Sequence, residues 1–99
     1  MVTVKSVNVR KREDGRIESE ARITAASGDT ITAADLELNT IEMVKSIIPE
    51  VRNHVVTGYS VTNPGSYGNS MTFTAYTLSG GSLTAEAGSI DWIFTVVGE

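Results

Sequence analysis

Two alternating runs on either side of one acidic, glycine-ended turn constrain this chain more than anything else in it. Val7-Asn8-Val9-Arg10-Lys11-Arg12 and Arg16-Ile17-Glu18-Ser19-Glu20-Ala21-Arg22-Ile23 flank Glu13-Asp14-Gly15, and such alternation sends apolar and polar residues to opposite faces of a strand. The segment reads as a β-hairpin. Its loop length follows from side-chain pairing, because residues directly opposite on antiparallel strands share a face. A two-residue Asp14-Gly15 loop would set Val9 against Glu20 and Val7 against Arg22, mixing apolar with charged. A three-residue loop, with a type I turn at Glu13-Asp14 and Gly15 left-handed as a bulge, sets Val7 against Ala21, Val9 against Ser19, Asn8 against Glu20 and Arg10 against Glu18. The second register is expected, with an apolar face inward and an ion-paired face in water. Val2 and Val4 fall on the opposite parity to Val7 and Val9, so a bulge or bend is expected at Lys5-Ser6.

Beyond the hairpin, Ser27-Gly28-Asp29 is a turn, Thr30-Ile31-Thr32 a short strand, and Thr32-Ala33-Ala34-Asp35 a candidate single helical turn capped by Thr32, after which Leu36 and Leu38 point into the core. The stretch from Thr40 to Val51 fits two templates: Ile41, Val44, Ile47, Ile48 and Val51 have helical spacing, and Ile41, Met43 and Ile47 fit an alternation broken at Lys45. Strand is preferred, because β-branched residues dominate and Pro49 would cut a helix to about two turns; a helix would make the class α+β. Three further strands are expected at His54 to Thr62, Ser70 to Leu78 and Ile90 to Val97. The last has Ile90, Trp92, Phe94 and Val96 on one face and Ile93 and Val97 on the other, the mark of a central strand covered on each side or paired with another subunit. Asn63 to Asn69 is a loop long enough to protrude. Ser27 to Ala33 also echoes Ser79 to Ala85, through either shared turn-then-strand chemistry or a duplicated half-domain. The expectation is an all-β chain: a single small antiparallel β-sandwich or barrel-like domain over 1–99, of about six to eight strands with at most one short helical turn, divided into an N-terminal hairpin (2–26) and core strands (30–99).

Composition decides which chemistries the chain can carry. Of 99 residues 40% are apolar and 20% charged, enough to form a core. The net charge of −4 and pI near 4.9 have the wrong sign for a broad nucleic-acid face. No apolar run has the roughly 18 residues a membrane helix needs, and the start lacks the pattern of a signal peptide, so a protein made in the cytoplasm with no membrane partner is expected. With no cysteine and His54 as the only histidine, thiolate and histidine metal sites have no ligands, and a histidine triad has one candidate base. Ser27, Ser66, Ser79 and Ser82 lie in glycine-rich turns without the nucleophile-elbow pattern. Gly80-Gly81 and Gly65/Gly68 lack phosphate-loop spacing. Glu13, Asp14, Glu18 and Glu20 are interleaved with Arg10, Lys11, Arg12, Arg16 and Arg22, which suits a solvated face better than a metal cage. Asp29, Asp35 and Glu37 lack calcium-loop spacing. Trp92, Phe73, Phe94, Tyr59 and Tyr76 fit core positions, whereas Tyr67, in a polar loop, suits a contact anchor. No enzyme activity, cofactor or metal is expected.

Thr30-Ile31-Thr32-Ala33-Ala34-Asp35-Leu36-Glu37-Leu38, with Ile41 and Val44 following and Phe94-Thr95-Val96-Val97-Gly98 closing the chain, resembles small β-rich virion proteins of tailed phages; Glu37 stands where such sequences often carry glycine. The resemblance implies a virion structural role, such as a capsid decoration or head-associated protein located in the virion, with other protein subunits as partners: copies of itself, a capsid shell protein, or both. Contacts are expected from the Val2 to Ile23 ribbon and the Asn63 to Asn69 loop, with Arg10, Arg12, Glu18, Glu20, Asn63, Tyr67 and Asn69 as candidate interaction residues. The alternative is a small ligand-binding module, for example for carbohydrate, using Tyr67 and Tyr59.

Overall fold

A computed structural model describes residues 2–50, 54–61, 68–79, 82–85 and 89–99, without the side chains of 54–57, 78, 79 and 82–85. Among them eight strands form: β1 (Thr3–Lys11), β2 (Ile17–Ala25), β3 (Thr30–Thr32), β4 (Ile41–Pro49), β5 (His54–Val61), β6 (Ser70–Ser79), β7 (Ser82–Ala85) and β8 (Ile90–Gly98). One 3-10 turn, Ala34–Leu36, precedes β4. All pairings are antiparallel. The first sheet runs β1-β2-β8-β4, and the second β3-β6-β5 with β7 also on β6. The expected all-β sandwich is what the chain forms.

The hairpin has the three-residue register. Val7 pairs with Ala21, Asn8 with Glu20, Val9 with Ser19 and Arg10 with Glu18. Gly15, at φ 85°, donates to the Arg12 carbonyl at 3.1 Å, and Arg12 N–H donates to the Arg16 carbonyl at 2.7 Å, closing a type I turn with a glycine bulge. The ladder slips between Val4 and Ser6, so Lys5 is the extra residue. That bulge restores parity: Val4 lies opposite Ile23, on the same inner face as Val7 and Val9.

The core lies between β2, β8 and β4 on one side and β6 with β3 on the other, and buried residues of both sheets form one cluster. At its centre Phe73 of β6 meets Trp92 and Phe94 of β8 edge-on, at ring distances of 5.1 and 5.4 Å. Polar ties close the perimeter. Trp92 Nε1 donates to the Ala25 carbonyl at 2.9 Å, and the buried Ser19 hydroxyl donates to the Leu36 carbonyl at 2.7 Å. Thr32 and Asp35 exchange hydrogen bonds at the 3-10 turn, Thr32 N–H to Asp35 and Asp35 N–H to the Thr32 hydroxyl. Leu36 and Leu38 are buried, as expected. The echoing segments become β3 and β7, both antiparallel to β6 and at its two ends; Gly80 and Gly81 between β6 and β7 lie outside the described residues.

Two expectations need correction. Val9 has the predicted face but is 47% exposed, so the inward face of the hairpin is not buried at that position. Tyr59 is not a core residue: it lies on β5, an edge strand, and is 53% exposed. The Thr40 segment is settled as strand over Ile41–Pro49.

The turn after Leu36 stores strain. Glu37 sits at φ 58°, ψ 36°, and no other non-glycine described residue has a positive φ. The left-handed conformation costs an L-residue about 1–2 kcal/mol, whereas glycine adopts it freely. Glycine's greater freedom in the unfolded chain offsets part of that difference. Glu37→Gly is therefore expected to stabilise the fold by about 0.5–1 kcal/mol, read as a higher urea midpoint at unchanged m-value.

Candidate interaction surface

The outer face of the first sheet is built from β2, β8 and β4, with β8 in the middle. Registers place Glu18 beside Val97 and Val97 beside Met43, then Glu20, Thr95 and Ser46 in one row and Arg22, Ile93 and Ile48 in the next. Apolar side chains of β8 thus look toward water. They are covered by ion pairs that span β8 from β2 to β4. Arg16 Nε meets Glu42 Oε1 at 2.6 Å, Lys45 Nζ meets Glu18 Oε1 at 2.9 Å, and Arg22 grips both oxygens of Glu50 at 2.9 and 3.0 Å. Val97 is fully buried although it faces outward. A fourth pair, Lys5 with Asp91 at 2.8 Å, reaches over β2 from β1, and Thr24 donates to the other Asp91 oxygen at 2.6 Å.

Glu42 and Lys45 can take part because β4 bulges at both. The ladder slips between Ile41 and Met43 and again between Val44 and Ser46. Each extra residue sends its side chain to the outer face and keeps Ile41, Val44 and Ile47 facing in.

These contacts depress several carboxyl groups. Lys45 holds Glu18 below its ordinary value of 4.5, with Arg10 assisting. Lys5 and then Thr24 hold Asp91 below 3.8, the Arg16 backbone N–H does the same for Asp14, and the Ala26 backbone N–H for Asp29. The Glu50 carboxylate raises Arg22. A carboxyl depressed in the folded state adds stability that is complete above its unfolded value and lost as pH falls through its folded one. Urea midpoints are therefore expected to be insensitive to these groups above about pH 4.5 and to fall progressively below it. A flat profile down to pH 2 would mean that the pairs do not form in solution.

Of the candidate interaction residues, Arg10, Arg12, Glu18 and Glu20 lie on or beside the hairpin. Arg10 is exposed and holds Glu18 Oε2 at 2.7 Å. Arg12 lies 3.7 Å from Asp14. Glu18 is committed inside the chain, with its side chain 12% exposed between Arg10 and Lys45. Glu20 is exposed and has no ion-pair partner among the described residues. Asn69 is exposed in side chain, and its carbonyl accepts from Ala33 N–H at 2.8 Å. Asn63 and Tyr67 lie outside the described residues. The loop's end is pinned, because Gly68 bridges Ile41 through both backbone groups.

No match to this chain was found among protein-family models, curated proteins or solved structures.

The surface therefore has to be read from its own geometry. Among the described residues, the large exposed apolar ones are Val4, Val9, Met43, Ile48 and Tyr59, between 37 and 53% exposed. All five lie on edge strands: β1, β4 and β5. Of these five, sequence reasoning placed Val4 and Val9 among the subunit contacts, within the Val2 to Ile23 ribbon, and Tyr59 only in the carbohydrate-binding alternative. Met43 and Ile48 were hidden by the broken period of β4, in which a core-facing and a water-facing isoleucine stand side by side. Open grooves of about 490 and 200 Å³ follow the hairpin, the first lined by Arg10 to Asp14 and the second by Asn8, Val9, Arg10, Glu18 and Glu20. No group of three or more His, Asp or Glu side chains gathers for a metal among the described residues. Asp29 and Asp35 instead lock their own turns by accepting from Ala26 and Thr32 N–H.

Proposed function

We propose that this chain is a non-enzymatic structural protein that acts by assembling with other protein subunits, as a virion component of the capsid decoration or head-associated kind. The observation that carries the reading is the distribution of exposed apolar side chains. Scattered single hydrophobics are ordinary on any surface. Here, among the described residues, all five large ones lie on strands that end a sheet, and the outer backbone edge of each has no described strand paired along it, the single Ile41–Gly68 bridge on β4 aside. Unpaired edges beside apolar side chains are templates for pairing with another chain. The virion setting rests on the sequence resemblance alone.

Sedimentation velocity over a wide concentration range, alone and with purified capsid shells, tests the reading. Species larger than the monomer, or co-sedimentation with shells, are expected. A protein that remains monomeric at every concentration and joins no shell would overturn it. The exposed ring of Tyr59 favours a second reading, a carbohydrate-binding module. That reading requires glycan-array binding that Tyr59→Ala abolishes.

A further inference from the structure

We infer that copies of this chain assemble head to tail, the β1 edge of one copy pairing with the β4 edge of the next, so that the first sheet continues from subunit to subunit. The inference rests on the assembly reading and specifies its geometry.

Strand direction permits the joint. β1 and β4 stand at opposite ends of a four-stranded sheet in which every pairing is antiparallel, so they run in opposite directions. A second copy in the same orientation, set beside the first, lays its β4 antiparallel to β1. Among the described residues, the outer edge of β4 is paired at its start alone, where Ile41 bridges Gly68.

The sheet's own registers give the level of each residue. Following the pairs across β2 and β8, Arg10 is level with Met43, Val9 with Val44, Val7 with Ile47, Ser6 with Ile48 and Val4 with Pro49. At zero stagger the uncovered valines of β1 continue the inner face beyond Val44 and Ile47. On the outer face, Met43 and Ile48 meet the aliphatic stem of Arg10 and the small Ser6.

Charge agrees with that level. β1 contains Lys5, Arg10 and Lys11 and no acid, and its cationic ends fall beside the two acids of the β4 segment, Arg10 and Lys11 near Glu42 and Lys5 near Glu50. Among the described residues, Lys11 has no ion-pair partner and the buried Glu42 Oε2 has no hydrogen-bond donor. Pairing β1 with β1 of another copy would instead gather six cations at one seam. It would also leave Met43 and Ile48 uncovered on the far side. A head-to-tail joint is heterologous, so it builds a ring if the rotation closes and a filament if it does not.

The absence of cysteine makes the test clean. Arg10→Cys and Met43→Cys proteins are prepared separately and mixed, and a short bismaleimide is added; Ser6→Cys and Ile48→Cys form a second pair. Each mixture is expected to give a covalent dimer holding one copy of each variant, neither variant alone to give one, and the Arg10→Cys/Met43→Cys double variant to give a ladder. Val9→Lys, at an exposed position and with an unchanged melting curve, is expected to weaken self-association about tenfold or more. Cross-linking of Arg10→Cys with itself, or self-association in sedimentation with no cross-link in either mixture, overturns the head-to-tail joint and leaves the assembly reading standing. A monomer that joins shells but never itself overturns the joint alone; a monomer that joins nothing overturns both.

Discussion

Gly98→Ala is expected to destabilise the protein by about 3 kcal/mol or more, at the severe end of overpacking. A β-carbon built on Gly98 would sit 1.8 Å from the Thr40 carbonyl oxygen and 2.9 Å from its carbonyl carbon. Backbone atoms cannot rotate away as a side chain can. Nor is this backbone free to retreat, since Thr40 N–H donates to the Glu99 carbonyl at 3.1 Å, Asn39 N–H donates to the same oxygen, and Ile41 pairs with Gly98 itself. Relief requires the start of β4 to leave β8, which uncovers Ile41 and Val97. In a domain of this size the melting temperature should fall on the order of 10–20 °C. Amide exchange should quicken first in β4 and the end of β8. An unchanged melting curve would mean that the two strands do not approach as described.

Phe73→Ala is the second large effect, expected at about 3–5 kcal/mol. Phe73 carries the second sheet's contact with both Trp92 and Phe94, and all three rings are buried. Truncation opens a cavity between two sheets whose backbones cannot collapse into it. Val9→Ala is the control, because Val9 lies on the inner face of the opposing sheet yet is half exposed; it should change stability by no more than about 0.5 kcal/mol. Equal losses at the two positions would mean that the core extends beneath β1.

Sequence reasoning reached the hairpin in detail because its information is local. Glu13-Asp14-Gly15 fixes the turn, the turn fixes the register, and the parity slip at Lys5 announces the bulge. The Thr40 segment was ambiguous for a reason now visible: a strand repeats every two residues, and each bulge adds one, so Ile41, Val44 and Ile47 fall three apart as on a helix. The period was real and its cause was not helical. The exposure of Val9 could not be read locally, since it depends on whether another sheet opposes that end of β1. The same holds for Glu42, Lys45 and Glu50, whose partners on β2 or just before it lie 26 to 28 residues away in sequence. Tyr59 was misplaced because alternation identifies a face and does not say whether that face is opposed by anything.

The two bulges of β4 also bear on how its length can change. Lys45 is surplus to the ladder, since Val44 meets Val96 and Ser46 meets Thr95 with or without a residue between them. Shortening the chain by that residue alone keeps every remaining side chain on its present side, an exception to the rule that a single deletion inverts the rest of a strand. The loss falls on the ion pair with Glu18 beside Val97, so at this point the strand can give up a residue without disturbing the interior, and water-side shielding is all that changes.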